Sequence, residues 1–254
     1  MHRLFRLIPL LFLATSAFAD ESQPPPVQLE AYKANYFIIG NPNLKTQISF
    51  KARVLGDNLY FGFSQRLFWD LLYVESSPVL DVNYNPDLFY RFRPQDSAPD
   101  SWLDFGIFEH ESNGLAGYGS RMWNMSYLRY HSVLPLSGTP GGARLFWSIK
   151  VWAPYLIDLQ AQDLVQYRGI YELNLTWANF LSGWLKDSDI SFRLYPGGYS
   201  WINPLKGGQE LTLRMHPDSR RFTPALFIQA FHGYAETMLN YNRSTFGLRA
   251  GMGF

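Results

Sequence analysis

The sequence predicts an all-β protein, a 12-stranded antiparallel transmembrane β-barrel of the outer membrane. Apolar and polar residues alternate with a period of two over much of the chain, and charged side chains stand at the polar positions of these runs. A barrel wall explains both faces, because apolar side chains meet lipid and charged ones meet a polar interior. The 16 Tyr and 8 Trp fit aromatic girdles at the two membrane surfaces.

The alternation defines the individual strands. In 46–54, Ile48 and Phe50 lie on one face while Lys51 and Arg53 lie on the other, and 144–152, 170–178 and 210–215 repeat the pattern. Twelve predicted strands begin near residues 35, 45, 57, 83, 102, 119, 143, 166, 188, 208, 222 and 244. An even number places both chain ends on the periplasmic side. A secreted β-sandwich with polar outward faces is the alternative that the alternation leaves open.

The N-terminal stretch predicts export. Arg3 and Arg6 precede a short apolar run, and Ala17-Phe18-Ala19 offers a cleavage site between small residues. We therefore interpret residues 1–19 as a signal peptide and residues 20–34 as an extended N-terminal segment. The barrel domain is predicted to span 35–254.

The composition and the C-terminal end support this interpretation. The chain has no cysteine, which excludes disulfides and thiolate metal sites. Without residues 1–19, 20 basic and 21 acidic residues remain, so no basic excess favours nucleic acid as a partner. The final stretch, STFGLRAGMGF, alternates apolar residues with Gly and Arg and ends on Phe254. It resembles the C-terminal strand of bacterial outer-membrane barrel proteins.

The stretch EHESNGLAGYGSRMWN, residues 109–124, contains a candidate catalytic site. His110 and Ser112 are two positions apart and share one face of a strand, and Asn124 lies on the neighbouring strand of the hairpin. A serine hydroxyl needs a base to take its proton, and that base needs a third group to hold it in one tautomer. The alternative is a polar hairpin without catalytic function.

The same stretch resembles the bacterial outer-membrane phospholipase A family, whose members carry H-[DE]-S-N-G followed by S-R-x-W-N at this spacing. The upstream ESSP-x₄-NY-x-P-x-LF, from Glu75 to Phe89, is also similar. The resemblance implies a serine carboxylic-ester hydrolase of the phospholipase A1/A2 and lysophospholipase type, acting on membrane glycerophospholipids. It implies Ser112 as the nucleophile, His110 as the general base and Asn124 as its orienting group. A non-catalytic pore or structural barrel remains the alternative.

The resemblance also implies bound Ca²⁺. It places Ser120 as a hydroxyl ligand, Leu115 as a backbone-carbonyl ligand and Ser76 of a second subunit as the residue that completes the shell of an active homodimer. Residues 113–122 contain no carboxylate, and Gly117 stands near the place where relatives have an aspartate. Since calcium affinity rises with ligand charge, water, Glu111 or substrate phosphate would have to complete the site.

Gln65 lies in a lipid-facing row with Phe61, Phe63, Leu67 and Trp69. An unpaired amide facing hydrocarbon is costly. Pairing across a dimer interface would remove that cost, and the resemblance places a glutamine at this position. Hydration near the membrane surface is the alternative.

The fifth predicted strand raises a question about facing. An active site for membrane lipid should face outward. However, regular alternation puts His110 on the same face as Asp104 and Gly106, with Leu103, Phe105 and Ile107 opposite. A β-bulge would shift the parity, and the sequence does not show whether one exists.

Overall fold

The computed structural model describes residues 27–93, 101–138, 142–180, 188–216 and 224–254. The signal peptide predicted for residues 1–19 lies outside these ranges. The described strands are β1 Leu29–Ala31, β2 Tyr36–Asn41, β3 Leu44–Leu55, β4 Leu59–Trp69, β5 Val79–Phe92, β6 Trp102–Ser112, β7 Met122–Pro135, β8 Arg144–Tyr155, β9 Tyr171–Ala178, β10 Asp189–Gly197, β11 Asn203–Met215, β12 Ala225–Gly233 and β13 Thr245–Gly253.

These strands form one antiparallel sheet that closes on itself. Each strand from β3 to β13 pairs with its sequence neighbours, and β13 pairs with β2 to complete the circle. The short β1 and β2 lie along the same edge of β3, so together they occupy one position in the wall. This closed barrel confirms the predicted 12 antiparallel strands and excludes the β-sandwich.

Residues 32–35 connect β1 to β2 and turn into the lumen. Tyr32 Oη donates a hydrogen bond to Asp87 Oδ2 at 2.5 Å, and its ring stacks on Phe89 at 5.7 Å between centroids. Gly62 makes room for this ring, because a Cβ there would lie 2.8 Å from it. The segment predicted as an extended lead-in, residues 20–34, thus contributes a strand and luminal contacts in its described part.

The two faces of the wall differ as the alternation predicts. The inner face carries buried ion pairs, among them Lys45 with Glu210 at 2.8 Å and Arg249 with Glu236 at 2.7 Å. A cavity of about 450 Å³ lies among such pairs. The outer face exposes large apolar residues, including Phe37, Ile48, Phe61, Leu128, Ile149, Val151, Leu211, Ile228, Leu248 and Met252.

The end of the barrel opposite the chain termini, which we call the outer end, is covered by two loops. Residues 156–170 include a 3-10 turn, Leu159–Ala161, and the short helix α1, Val165–Arg168, which ends at Gly169 with φ 62°. The predicted strand near residue 166 therefore begins only at Tyr171. Leu164 and Val165 pack with Met238 and Tyr241 from the loop at 234–244. Within the described ranges, no helix has the length and apolar character needed to cross a membrane.

Candidate active site

The histidine and the asparagine of the predicted triad are in contact. His110 on β6 stands opposite Asn124 on β7, and His110 Nδ1 lies 2.8 Å from Asn124 Oδ1. Both side chains are on the outer face of the barrel, and Asn124 is buried beneath its surroundings. The two residues are 14 positions apart in sequence, but the hairpin places them opposite each other on neighbouring strands. Their side chains are therefore in contact.

A second hydrogen bond fixes which way the Asn124 amide points. Asn124 Nδ2 donates to the carbonyl oxygen of Leu156 at 3.4 Å. A carbonyl only accepts, so Nδ2 faces Leu156 and Oδ1 faces His110. The His110 Nδ1 must then carry the proton, which leaves Nε2 with a free lone pair to act as a base. Leu156 has φ 48°, a conformation that is rare for a residue with a side chain.

A β-bulge answers the question of facing on β6. Gly106 pairs with Tyr127 and Glu109 with Met125, so β6 has one residue more than β7 between these pairs. The neighbouring β5 shows the same shift, because Leu88 pairs with Phe108 and Phe89 with Gly106. Below the bulge Asp104 points inward, and above it Glu109 and Glu111 do. His110 and Ser112 therefore face outward, toward the lipid side.

Ser112 lies half-buried on the outer face at the end of β6, opposite Tyr84 on β5 and Met122 on β7. Its hydroxyl has no hydrogen-bond partner among the described residues, and no bond to His110 is formed. Hydrogen bonds between catalytic groups are often long without substrate and shorten when it binds. In the structure, Ser112 lies on the same face as His110, two positions further along the strand.

The inner face of β6 anchors this strand to its neighbours. Glu109 forms an ion pair with Lys150 on β8, and Glu111 forms one with Arg66 on β4 at 2.5 Å. Trp123 Nε1 also donates to Glu111 Oε2 at 3.2 Å. Glu111 thus points away from the outer face, and it is excluded as a carboxylate for the predicted metal site.

The loop after β6 is organised by Asn113, which is buried. Its Nδ2 donates to the Gly119 carbonyl at 2.8 Å, and its Oδ1 accepts from the Arg121 N–H at 3.0 Å. The Arg121 guanidinium donates to the carbonyls of Tyr118 and Ser120. Arg121 therefore has a packing role in holding the loop together.

The structure supplies a carboxylate that the motif lacks. Ser120 Oγ donates a hydrogen bond to Asp158 Oδ2 at 2.5 Å, across the gap between the loops after β6 and β8. The Gln160 backbone N–H and the Ser120 hydroxyl lower the pKa of Asp158, so its carboxylate is favoured in the charged form. Sequence reasoning missed Asp158 because it lies 38 positions from Ser120.

The donor set near Ser120 fits calcium chemically. A hydroxyl and a carboxylate are hard oxygen ligands, as is the Leu115 carbonyl predicted from the sequence. Within the described ranges, no three His, Cys, Asp or Glu side chains are grouped as a metal cluster. A calcium ion here would therefore depend on backbone, hydroxyl and water oxygens in addition to Asp158.

The two residues predicted at a dimer interface lie on the same side of the barrel. Gln65 is on the outer face of β4, opposite Ile48 and Tyr84, and its amide has no hydrogen-bond partner in the described part of the chain. Ser76 is exposed in the loop at 70–78 at the outer end, with φ 71°. The register joins Gln65, Tyr84 and Ser112 into one row across the outer wall.

A family model for phospholipase A1 matches residues 9–254. The chain belongs to the phospholipase A1 family. It is 30% identical over 208 residues to a phospholipase A1 of Proteus vulgaris, covering 79% of this chain and 63% of that protein. It is also 30% identical over 198 residues to the phospholipase A1 of Escherichia coli strain K12, covering 74% and 60%. The chain thus spans about three fifths of the length of these curated relatives.

Solved structures of outer-membrane phospholipases share the fold. The outer membrane phospholipase A from Escherichia coli superposes with a TM-score of 0.72 at 22% identity, covering 89% of this chain and 94% of that one. An outer membrane phospholipase dimer of Salmonella typhi with bound calcium gives a TM-score of 0.71 at 23% identity, covering 91% and 94%. Family and fold therefore agree with the resemblance that the motif predicts.

Proposed function

We propose that this protein is a calcium-dependent outer-membrane phospholipase. It hydrolyses acyl ester bonds of glycerophospholipids and lysophospholipids through Ser112, His110 and Asn124. The observation that carries the proposal is the 2.8 Å contact between His110 Nδ1 and Asn124 Oδ1 on the outward face of β6 and β7. Membership of the phospholipase A1 family supports the substrate class.

Each side chain has one chemical task. Asn124 holds His110 with its proton on Nδ1, so Nε2 takes the proton of the Ser112 hydroxyl as that oxygen attacks the ester carbonyl. His110 then returns the proton to the leaving alcohol, and a water molecule repeats the sequence to release the fatty acid. Asn124 is neutral and adds no negative charge, so the imidazolium form of His110 is stabilised less than it would be by a carboxylate.

Bound calcium would supply the electrostatic help that the neutral amide does not. We assign its ligands to Ser120, Asp158 and the Leu115 carbonyl, with Ser76 of a second copy completing the shell. When bound, the ion would polarise the ester carbonyl. The solved Salmonella typhi relative, a dimer with bound calcium, supports a role for calcium and for a second copy of the chain.

The position of the site fits a substrate that arrives from the membrane. His110 and Ser112 lie on the wall whose outward side chains are mostly apolar, so an acyl chain in the bilayer reaches Ser112 without crossing the lumen. In an asymmetric outer membrane, the enzyme would act when phospholipid enters the outer leaflet. The protein is accordingly placed in the outer membrane.

The pore alternative receives less support. A pore needs a continuous aqueous path, whereas Trp123, Met238 and Tyr241 belong to a buried cluster beneath the outer loops. Luminal ion pairs also bridge strands that are not neighbours, as Lys45–Glu210 does between β3 and β11 and Arg66–Glu111 between β4 and β6. The enzyme proposal also gives a reason for the outward pairing of His110 with Asn124, which a pore does not need.

Hydrolysis by the purified protein tests the proposal. We expect fatty acid release from phospholipid–detergent micelles with calcium, and its loss with a chelator or in Ser112→Ala. Ser132→Ala is the matched control, because Ser132 lies near the other end of β7 and bonds to Ser101. Hydrolysis that survives in Ser112→Ala contradicts the triad. A folded wild-type barrel that releases no fatty acid with calcium supports the non-catalytic alternative.

A further inference from the structure

A proline on β5 interrupts the backbone ladder beside the catalytic base. Tyr84 pairs with Ser112 and Asp87 with Glu109, which puts Pro86 opposite His110. Residues 85 and 86 form no backbone pairs with β6, whereas the pairing of β5 with β4 continues without a break past Pro86. The nitrogen of Pro86 therefore faces β6. Because proline has no N–H, the His110 carbonyl lacks its backbone donor.

The side chain of the preceding residue replaces that donor. Asn85 Nδ2 donates to the His110 carbonyl oxygen at 2.9 Å and to Glu109 Oε1 at 3.1 Å. Asn85 points into the lumen, where it lines the cavity, and is 8% exposed, so losing its donor at this depth is costly. The motif that carries the family resemblance runs through Asn83, Tyr84 and Pro86 and leaves position 85 unspecified.

A luminal lysine fixes the orientation of this amide. Lys33 Nζ donates to Asn85 Oδ1 at 2.8 Å. An ammonium group only donates, so Oδ1 must face Lys33 and Nδ2 must face its two acceptors. Lys33 lies between β1 and β2, and its backbone N–H donates a hydrogen bond to Ser49 Oγ at 3.1 Å. The N-terminal segment is thereby connected to the backbone of the catalytic strand.

We propose that Asn85 is a positioning residue for His110 and that Lys33 holds Asn85 in the orientation this needs. The inference rests on the proposed function, in which His110 is the general base. A free carbonyl would let the backbone at His110 shift, and small displacements of a catalytic group reduce the rate strongly. Asn85 does not touch the substrate; it acts through the backbone of His110 from the opposite face of the wall.

Restoring the backbone donor provides the test. Asn85→Ala should lower kcat roughly tenfold with KM changed less than about twofold, since the hydrogen bond to the backbone carbonyl of His110 is lost. The double variant Asn85→Ala/Pro86→Ala regains a peptide N–H opposite His110 and should recover kcat to within about threefold of wild type. Gln229→Ala removes another buried luminal amide, which is bonded to Lys45 and Thr212, and should leave kcat unchanged.

Two outcomes overturn the inference. One is a kcat for Asn85→Ala equal to that of Gln229→Ala, and the other is a double variant no faster than Asn85→Ala. Rates are expressed per folded barrel, measured as the fraction that keeps compact migration in an unheated gel. If Asn85→Ala does not fold, Asn85→Leu takes its place, because it keeps a similar branched shape but removes the donor.

Covalent labelling of Ser112 by a fluorophosphonate separates this inference from the proposed function. Labelling requires the His110 base but no phospholipid. A wild-type protein that labels at Ser112 and releases no fatty acid contradicts the substrate, while slower labelling of Asn85→Ala still supports the positioning role. Equal labelling rates for wild type and Asn85→Ala overturn that role alone. A wild-type protein that does not label contradicts the triad and the positioning role with it.

Discussion

The hydroxyl of Ser126 donates a hydrogen bond to the Ile107 carbonyl oxygen at 3.0 Å, at the point where β6 carries one residue more than its neighbours. A bulge leaves a backbone group unpaired, and on the lipid side of a barrel wall that group finds no water. Ser126 satisfies it. The bulge in turn is what lets Glu109 and Glu111 face the lumen while His110 and Ser112 face outward.

Ser126→Ala should therefore destabilise the barrel. We expect the free energy of unfolding to fall by about 1–3 kcal/mol, the cost of leaving a lipid-facing carbonyl without a donor. Urea unfolding from detergent, followed by tryptophan fluorescence, measures the change. Ser126→Thr keeps the hydroxyl and should stay close to wild type. Equal stability of Ser126→Ala and Ser126→Thr would show that the Ile107 carbonyl is satisfied in another way.

Removing the Asn124 amide should slow catalysis without unfolding the barrel. Asn124→Ala leaves His110 Nδ1 without its acceptor, so the tautomer with a free Nε2 is no longer enforced. We expect kcat to fall by roughly one to two orders of magnitude, with KM little changed. Steady-state hydrolysis of a monoacyl ester checks this. Asn174→Ala, a luminal amide bonded to Glu172, is the control; an equal loss in both variants would point to general damage.

The backbone at Leu156 should matter more than its side chain. Its carbonyl orients Asn124 while its φ of 48° suits glycine better than a branched residue. Leu156→Gly should keep kcat near wild type, whereas Leu156→Val should lower it about three- to tenfold, because a β-branched residue resists this conformation. Measured kcat values for the two variants decide the point. Activity that instead follows side-chain size would assign Leu156 to lipid contact.

Asp158 should set the calcium requirement. Asp158→Asn removes the carboxylate that is hydrogen-bonded to Ser120, so the calcium concentration for half-maximal activity should rise about tenfold or more. Asp57→Asn, at an exposed turn at the other end of the barrel, is the control. Calcium titrations of hydrolysis and of intrinsic fluorescence measure both. An unchanged titration in Asp158→Asn would remove Asp158 from the metal site.

The pH dependence of this site follows from the same carboxylate. The pKa of Asp158 is lowered from 3.8 by hydrogen bonds to its charged form. Its contribution to the order of the loop is present above that ordinary value and is lost as the pH falls through the lowered pKa. Calcium binding should therefore persist under mildly acidic conditions and weaken only below pH 3.8, the ordinary pKa of an aspartate. Weakening near neutral pH would mean that another group titrates in the site.

Gln65 should contribute to self-association. Its amide lacks a partner within the described chain and lies in the outward row with Tyr84 and Ser112. Gln65→Leu should weaken dimerisation about threefold, the typical effect of one polar contact between membrane segments. Cross-linking across a detergent dilution series measures it, with Leu211→Ala on a distant strand as the control. Unchanged association in Gln65→Leu would favour a hydrated glutamine.

Local patterns in the sequence determined much of this protein. Residues 46–54 and 210–215 alternate between apolar and polar. The two-residue period of a strand is enough to predict from this an outward apolar face and an inward polar one. His110, Ser112 and Asn124 belong to a single hairpin, so their spacing was enough to predict that the histidine and the asparagine would be level. The family motif gave Ser120 and Leu115 as proposed calcium ligands for the same reason, because these positions are close along the chain.

Only the tertiary structure decided what depends on neighbouring strands. The bulge at Ile107 exists because β6 has one residue more than β5 and β7 over the same length of the wall. The sequence of β6 alone therefore does not reveal it. Asp158 meets Ser120 because two outer loops fold toward each other, and Asn85 reaches His110 because Pro86 leaves a donor missing there. Strand pairing sets these contacts between residues distant in sequence, whereas local alternation fixes only which face a side chain prefers.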